Sequence, residues 1–127
     1  MLDKIRFYGI STILVVGLIS ASPADAGSKK LSGDEIRAAL TNKTLIGENY
    51  AKGITVRIFS GPNGEWLSQP GPNKIIEFEW SVKGDKHCKG RGCGPVISKG
   101  EPNVYYKKMR GEERFKYTVI GNGNLLE

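Results

Sequence analysis

Apolar and polar residues alternate along three stretches of the chain. Ile54, Val56 and Ile58 share one side, with Thr55, Arg57 and Phe59 on the other. Ile76, Phe78, Trp80 and Val82 stand opposite Glu77, Glu79 and Ser81. Phe115, Tyr117 and Val119 alternate with Arg114, Lys116 and Thr118. A period of two is that of half-buried antiparallel strands. Turn chemistry separates the stretches: Gly61-Pro62-Asn63-Gly64, Pro70-Gly71-Pro72-Asn73, Lys83-Gly84-Asp85, Gly100-Glu101-Pro102-Asn103, Arg110-Gly111-Glu112 and Asn122-Gly123. Asn63-Gly64 and Asn122-Gly123 read best as tight hairpins. The pattern predicts about eight short strands, near 44–48, 53–59, 65–69, 74–82, 86–88, 93–98, 104–109 and 114–120, with a further stub at 124–126. Turns recur about every 8–12 residues, as in an up-and-down sheet closing into a small barrel or half-barrel. No connection is long enough for a crossover helix, so parallel pairing is not expected.

One segment has helical punctuation instead. In Leu31-Ser32-Gly33-Asp34-Glu35-Ile36, Ser32 is an N-cap and Glu35 follows three residues later, a capping box. Leu31 and Ile36 occupy the two positions of a hydrophobic staple. The helix is expected to run to about Leu40 and to stop at Thr41-Asn42. Two turns are not stable alone in water, so Ile36, Ala39 and Leu40 must pack on the sheet. The fold class is therefore mainly β, a short N-terminal helix followed by antiparallel strands.

The first 26 residues follow another pattern. Lys4 and Arg6 precede an apolar run from Ile10 to Ile19, and Ala24-Asp25-Ala26 is an A-x-A cleavage signature. The run is shorter than the ~20 residues that span a bilayer. This predicts a signal peptide cleaved after Ala26. The mature chain, 27–127, is then one β-barrel-like domain, periplasmic or secreted, with no membrane span.

Export decides the reading of His87-Cys88-Lys89-Gly90-Arg91-Gly92-Cys93-Gly94, which holds both cysteines and the sole histidine. Three ligands at most, with no second Cys/His pair, do not close a tetrahedral metal site. The C-x4-C spacing is not the C-x-x-C of a thioredoxin-like motif. In an oxidising compartment an even cysteine count points to a Cys88–Cys93 disulfide. That leaves His87 without a nucleophile beside it, a bystander. Glu77 and Glu79 lie about 7 Å apart on one exposed strand face. They are expected to pair across the ladder, with Arg57 a possible neighbour, rather than to flank a substrate. No cofactor, metal or catalytic residue is assigned.

The chain carries a formal net charge of +6, and removing Lys4, Arg6, Asp3 and Asp25 leaves it unchanged. The excess lies between Lys83 and Lys116. Lys83, Lys86, Lys89, Arg91, Lys107 and Lys108 are the candidate surface for an anionic partner, such as an envelope component. Solvation of an exposed face accounts for the same charges. The aromatic face of Phe78, Trp80, Phe115 and Tyr117 is either packed core or the wall of a pocket for a small apolar ligand. Nucleic acid is not an expected partner of an exported protein.

Leu31, Gly33, Glu35, Ile36, Leu40, Thr44 and Gly47, then Trp80, Cys88, Cys93, Gly121 and Asn122, resemble the pattern of a group of small exported proteobacterial proteins of uncharacterised function. The resemblance covers nearly the whole mature chain. It departs where that group often has Gly two residues before the Trp, a position held here by Phe78. The resemblance implies a lipocalin-like or calycin-like small β-barrel without established enzyme activity. The leading expectation is a non-enzymatic exported barrel that binds a small ligand or an anionic envelope component. A protein–protein module, such as an exported protease inhibitor, is the alternative, and an enzyme the third.

Overall fold

A computed structural model describes residues 28–127, so the expected signal peptide lies outside the described residues. In chain order the elements are β1 (Lys29–Lys30), α1 (Gly33–Leu40), β2 (Lys43–Asn49), β3 (Ile54–Ser60), β4 (Glu65–Gly71), β5 (Lys74–Lys83), β6 (Lys86–Lys89), β7 (Gly92–Gly94), β8 (Val96–Ser98), β9 (Val104–Met109) and β10 (Glu112–Asn122). The strands are hydrogen-bonded in the order β1-β8-β9-β10-β2-β3-β4-β5-β6-β7, antiparallel throughout. The sheet curls into a half-barrel.

Ten strands stand where about eight were expected, for two local reasons. Pro95 interrupts the predicted strand at 93–98. Proline has no N–H to give a ladder, so Cys93 stays beside Cys88 while Val96 leaves to pair with Lys107. The break also brings the two ends of the curled sheet together. A Cβ on Gly94 would lie 1.8 Å from the Lys108 carbonyl oxygen, so only glycine admits this approach of β7 to β9. The second addition, β1, follows from the staple. Leu31 is buried and donates its N–H to the Val96 carbonyl at 2.8 Å, which lays Lys29 and Lys30 along the open edge of β8.

Both tight-hairpin expectations are corrected. Asn63-Gly64 belongs to a four-residue loop, Gly61 to Gly64, between β3 and β4, closed by the Gly61 N–H on the Glu65 carbonyl. Asn122-Gly123 does not join two strands: Gly123 has φ 74° and turns the tail back over β2. There the Thr44 hydroxyl donates to the Gly123 carbonyl at 2.6 Å and accepts from the Leu125 N–H at 2.9 Å. The tail makes these bonds instead of a ladder, so 124–126 is not a strand. Arg110-Gly111, by contrast, forms a tight hairpin turn with both residues at positive φ, 54° and 80°.

Helix α1 forms as its punctuation predicts. The Ser32 hydroxyl accepts from the Glu35 N–H at 3.2 Å, and the Glu35 carboxylate accepts from the Ser32 N–H at 2.8 Å. Leu31, Ile36 and Leu40 join Leu45, Ile58, Trp66, Trp80, Val96 and Tyr117 in one buried cluster. Gly33 abuts Gly84 and Val82 at the C-terminal end of β5, and its N–H is bonded by the Asp85 carboxylate at 2.8 Å. The helix therefore plugs one end of the half-barrel. The other end, where β2 finishes and β3 begins, has no such plug among the described residues.

Candidate functional site: an aromatic cleft over a buried histidine

Inward-facing positions line up across the sheet by register. Phe115 stands against Asn49 and Ile54, Tyr117 against Gly47 and Val56, and Val119 against Leu45 and Ile58. Trp66 pairs with Phe78, Trp80 with Lys89 and Val82 with His87. At the unplugged end the members of these rows nearest the mouth border a cleft of about 180 Å³. Its wall is mainly apolar: Ile54, Val56, Ile58, Trp66, Phe78 and Phe115. Lys52 and Lys89 reach it, and Glu48 is the acid on its lining. An apolar concavity with a few placed polar groups is the usual form of a small-molecule site. The volume suits a small ligand, since a cavity near 150 Å³ holds a benzene ring.

The four aromatic residues singled out in the sequence share this inward face, yet in different roles. Phe78, Phe115 and Tyr117 border the cleft, while Trp80 lies deeper in the core. Trp80 Nε1–H donates to the Gly61 carbonyl at 2.9 Å, which ties β5 to the β3–β4 turn.

Beneath the cleft lies His87, which is fully buried. Its ring stacks on Trp80 at 5.6 Å and lies 5.0 Å from Trp66 and 5.9 Å from Tyr117, measured between centroids. Its Nδ1 is 3.1 Å from Lys107 Nζ, and Nε2 has no partner among the described residues. The Lys107 ammonium also donates to the Gly92 carbonyl at 2.8 Å. Burial, then the Lys107 and Lys89 charges, pushes the His87 pKa down to about 3. Burial and the Lys89 charge pull Lys107 down to about 8. At neutral pH the imidazole is therefore neutral and accepts a hydrogen bond from a buried ammonium. His87 is thus a central core residue, not the bystander that its short strand implied.

The expected anionic-partner surface is corrected by Lys107, which is 2% exposed and cannot meet a partner in solution. The remaining members do not form one patch. Lys83 and Lys86 face each other in register at the helix-plugged end. Lys89 lies at the opposite end, half-buried with its ammonium 4.3 Å from the Phe78 ring centroid. Arg91 is exposed on the adjacent turn, and Lys108 lies on β9. Arg57 stands against Gln69, not near Glu77 or Glu79, which are both exposed and face Leu67 and Glu65.

Lys52 was missed in the sequence, although a signal exists. In an up-and-down sheet the ends of β2 and β6 fall at the same mouth. Lys52, just after β2, and Lys89, closing β6, therefore both fall at that mouth, and the curl of the sheet brings them to one cleft.

Cys88 and Cys93 stand directly opposite across β6 and β7 and are disulfide-bonded. No family model, curated protein or solved structure matches the chain.

Proposed function

We propose that this chain is an exported, non-enzymatic half-barrel that holds a small, largely apolar ligand in the cleft. The observation carrying this reading is the asymmetry of the two ends. Helix α1 seals one, whereas the other leaves an apolar hollow walled by Trp66, Phe78 and Phe115. An apolar wall kept open to water costs free energy, about 25 cal/mol per Å² exposed, which a ligand would recover. The non-enzymatic part rests on His87. The chain's one histidine is sealed among aromatic rings and cannot pass protons to a substrate. Export rests on the N-terminal sequence pattern, and the disulfide is consistent with it. The resemblance to small exported β-barrel proteins points the same way.

Native mass spectrometry of protein recovered from its own cells tests the binding reading. The expected spectrum carries an added mass below a few hundred daltons that collisional activation releases. A clean apo mass, with no change in Trp66 fluorescence on adding small apolar compounds, would sink it.

A second reading has its own observation. Ile54 and Ile75 are 46% and 52% exposed near the open end. Apolar side chains at a rim are also what a protein–protein module presents.

A further inference from the structure

The open end carries more basic than acidic side chains: its acids are Glu48, Glu112 and, beside the β4–β5 turn, Glu127. By strand direction, the β2–β3, β4–β5, β6–β7 and β9–β10 turns all lie at this mouth. Lys52, Lys74, Arg91 and Arg110 sit in or beside those four turns, one at each, and all four are exposed. Lys89 reaches farther in, with its stem against the apolar wall and its ammonium over Phe78. Among the described residues, none of these five cations has a carboxylate within salt-bridge distance. Glu48 does not supply one: among the described residues its salt-bridge partner is Lys116, at 3.9 Å. Arg114, also near the mouth, is paired with Glu112 at 3.3 Å.

Two ammoniums, Lys52 and Lys89, thus converge on one apolar hollow, and among the described residues neither is salt-bridged to a carboxylate. At Lys89, burial first and the Lys52 charge second raise the cost of the charged form, and hold its pKa below the ordinary lysine value. The ring of Phe78 offsets part of this cost, but it does nothing for Lys52. A single anionic head group placed between them would neutralise the site, while the ligand's apolar body covered Trp66 and Phe115.

We propose that the ligand is a small amphipathic anion: a ring or short alkyl chain in the cleft, with one carboxylate-type head group held by Lys52 and Lys89. This rests on the cleft-binding reading above. The exposed bases on the surrounding turns would draw such an anion to the mouth.

Titration of the purified protein with octanoate, octanol and octylammonium, followed by tryptophan fluorescence and calorimetry, tests it. Octanoate is expected to bind at least about tenfold more tightly than octanol, and octylammonium more weakly than either. Raising salt from 50 to 500 mM should weaken octanoate but not octanol, because added ions screen exposed charges. In Lys52→Met/Lys89→Met the octanoate preference should vanish while octanol affinity stays within about threefold. Lys89→Gln provides a second, more conservative variant, with an unchanged melting temperature as the check on folding. Equal binding of octanoate and octanol would overturn the anion assignment and leave the cleft reading standing. A preference that survives in the folded variants would overturn the assignment to these lysines. Failure of both octanoate and octanol to bind would overturn the inference and the cleft reading together.

Discussion

The Lys107 ammonium donates to Nδ1 of His87 across 3.1 Å inside a ring of aromatic side chains. The contact joins β9 to β6, two strands that share no ladder. With the Lys107 bond to the Gly92 carbonyl, it clasps the two ends of the curled sheet. Both members are titratable, and both are moved from their ordinary values by burial first.

The clasp should make the fold sensitive to mild acid. His87 titrates near 3 when folded and near 6.5 when unfolded. Between those values the unfolded chain binds more protons, so stability falls as pH drops from 6.5 toward 3. The largest possible loss is roughly 5 kcal/mol at full separation of the two values. Urea midpoints at pH 7, 5.5 and 4.5 should decline steadily. His87→Gln keeps an acceptor for Lys107 and does not titrate. It should cost about 1–3 kcal/mol at pH 7 and show a much flatter decline down to pH 4.5. Glu35, held down to about 2 chiefly by its Lys29 hydrogen bond, adds its own loss only below about 4.5. An equal slope in the variant would place the acid sensitivity elsewhere.

The same pair predicts the opposite trend in base. Lys107 titrates near 8 when folded and near 10.5 when unfolded, so between those values the unfolded chain again binds more protons. Stability should therefore rise from pH 8 toward 10, by up to roughly 3 kcal/mol. A neutral amine still donates to His87 and Gly92, so the clasp survives deprotonation. Tyr117, pushed up by burial, reverses the trend above about 10, where the unfolded phenol ionises first. Lys107→Met should show a smaller rise between 8 and 10, because Lys89, also held below its ordinary value by burial and the Lys52 charge, still contributes. Denaturant unfolding of both proteins at pH 7.5, 8.5 and 9.5 distinguishes them.

The sheet was legible because alternation and turn residues act locally. The strands around Ile54, Ile76 and Phe115, and the Ser32 cap, lie where those rules put them. The split at Pro95 was also local, since a proline inside a predicted strand is a stop signal. What escaped depends on closure. Nothing near Lys107 in sequence says that its side chain points inward. Its alternation with Tyr105 does so only once β9 is known to pair with β10, where Tyr105 stands against Tyr117 and Lys107 against Phe115. The buried lysine was read as surface because lysine seldom lies inside unpaired. Its partners, His87 and Gly92, arrive from strands 15 to 20 residues away.

The helix plug offers a test in which two simple rules disagree. Ser32→Ala removes the hydroxyl that caps Glu35 and should cost about 1 kcal/mol. In a domain of this size that lowers the melting temperature by about 4–8 °C. Gly33→Ala should instead help a helix by about 1 kcal/mol on propensity alone. A Cβ there would lie 2.3 Å from the Gly84 carbonyl oxygen and 3.2 Å from Val82. Contact is expected to win, so that Gly33→Ala melts lower than Ser32→Ala. A rise in melting temperature would mean that the helix can lift off β5 at little cost.

The disulfide should act with the clasp, not beside it. Cys88 and Cys93 enclose Gly92, whose carbonyl accepts the hydrogen bond from Lys107, and Cys88 directly follows His87. Closing so small a ring is worth about 2 kcal/mol by chain entropy. Cys88→Ala/Cys93→Ala should lose about that much. It also frees the loop to swing Gly92 away from Lys107, so part of the clasp goes with it. Lys107→Met made in this background should then cost less than in the wild type. A coupling of about 0.5–3 kcal/mol is usual for groups in one network. Denaturant unfolding of the four proteins of this cycle at pH 7 gives the value, and alkylation with and without reductant checks that the bond is formed. Strict additivity would show that the loop holds its shape without the bond, and that the disulfide and the clasp are independent.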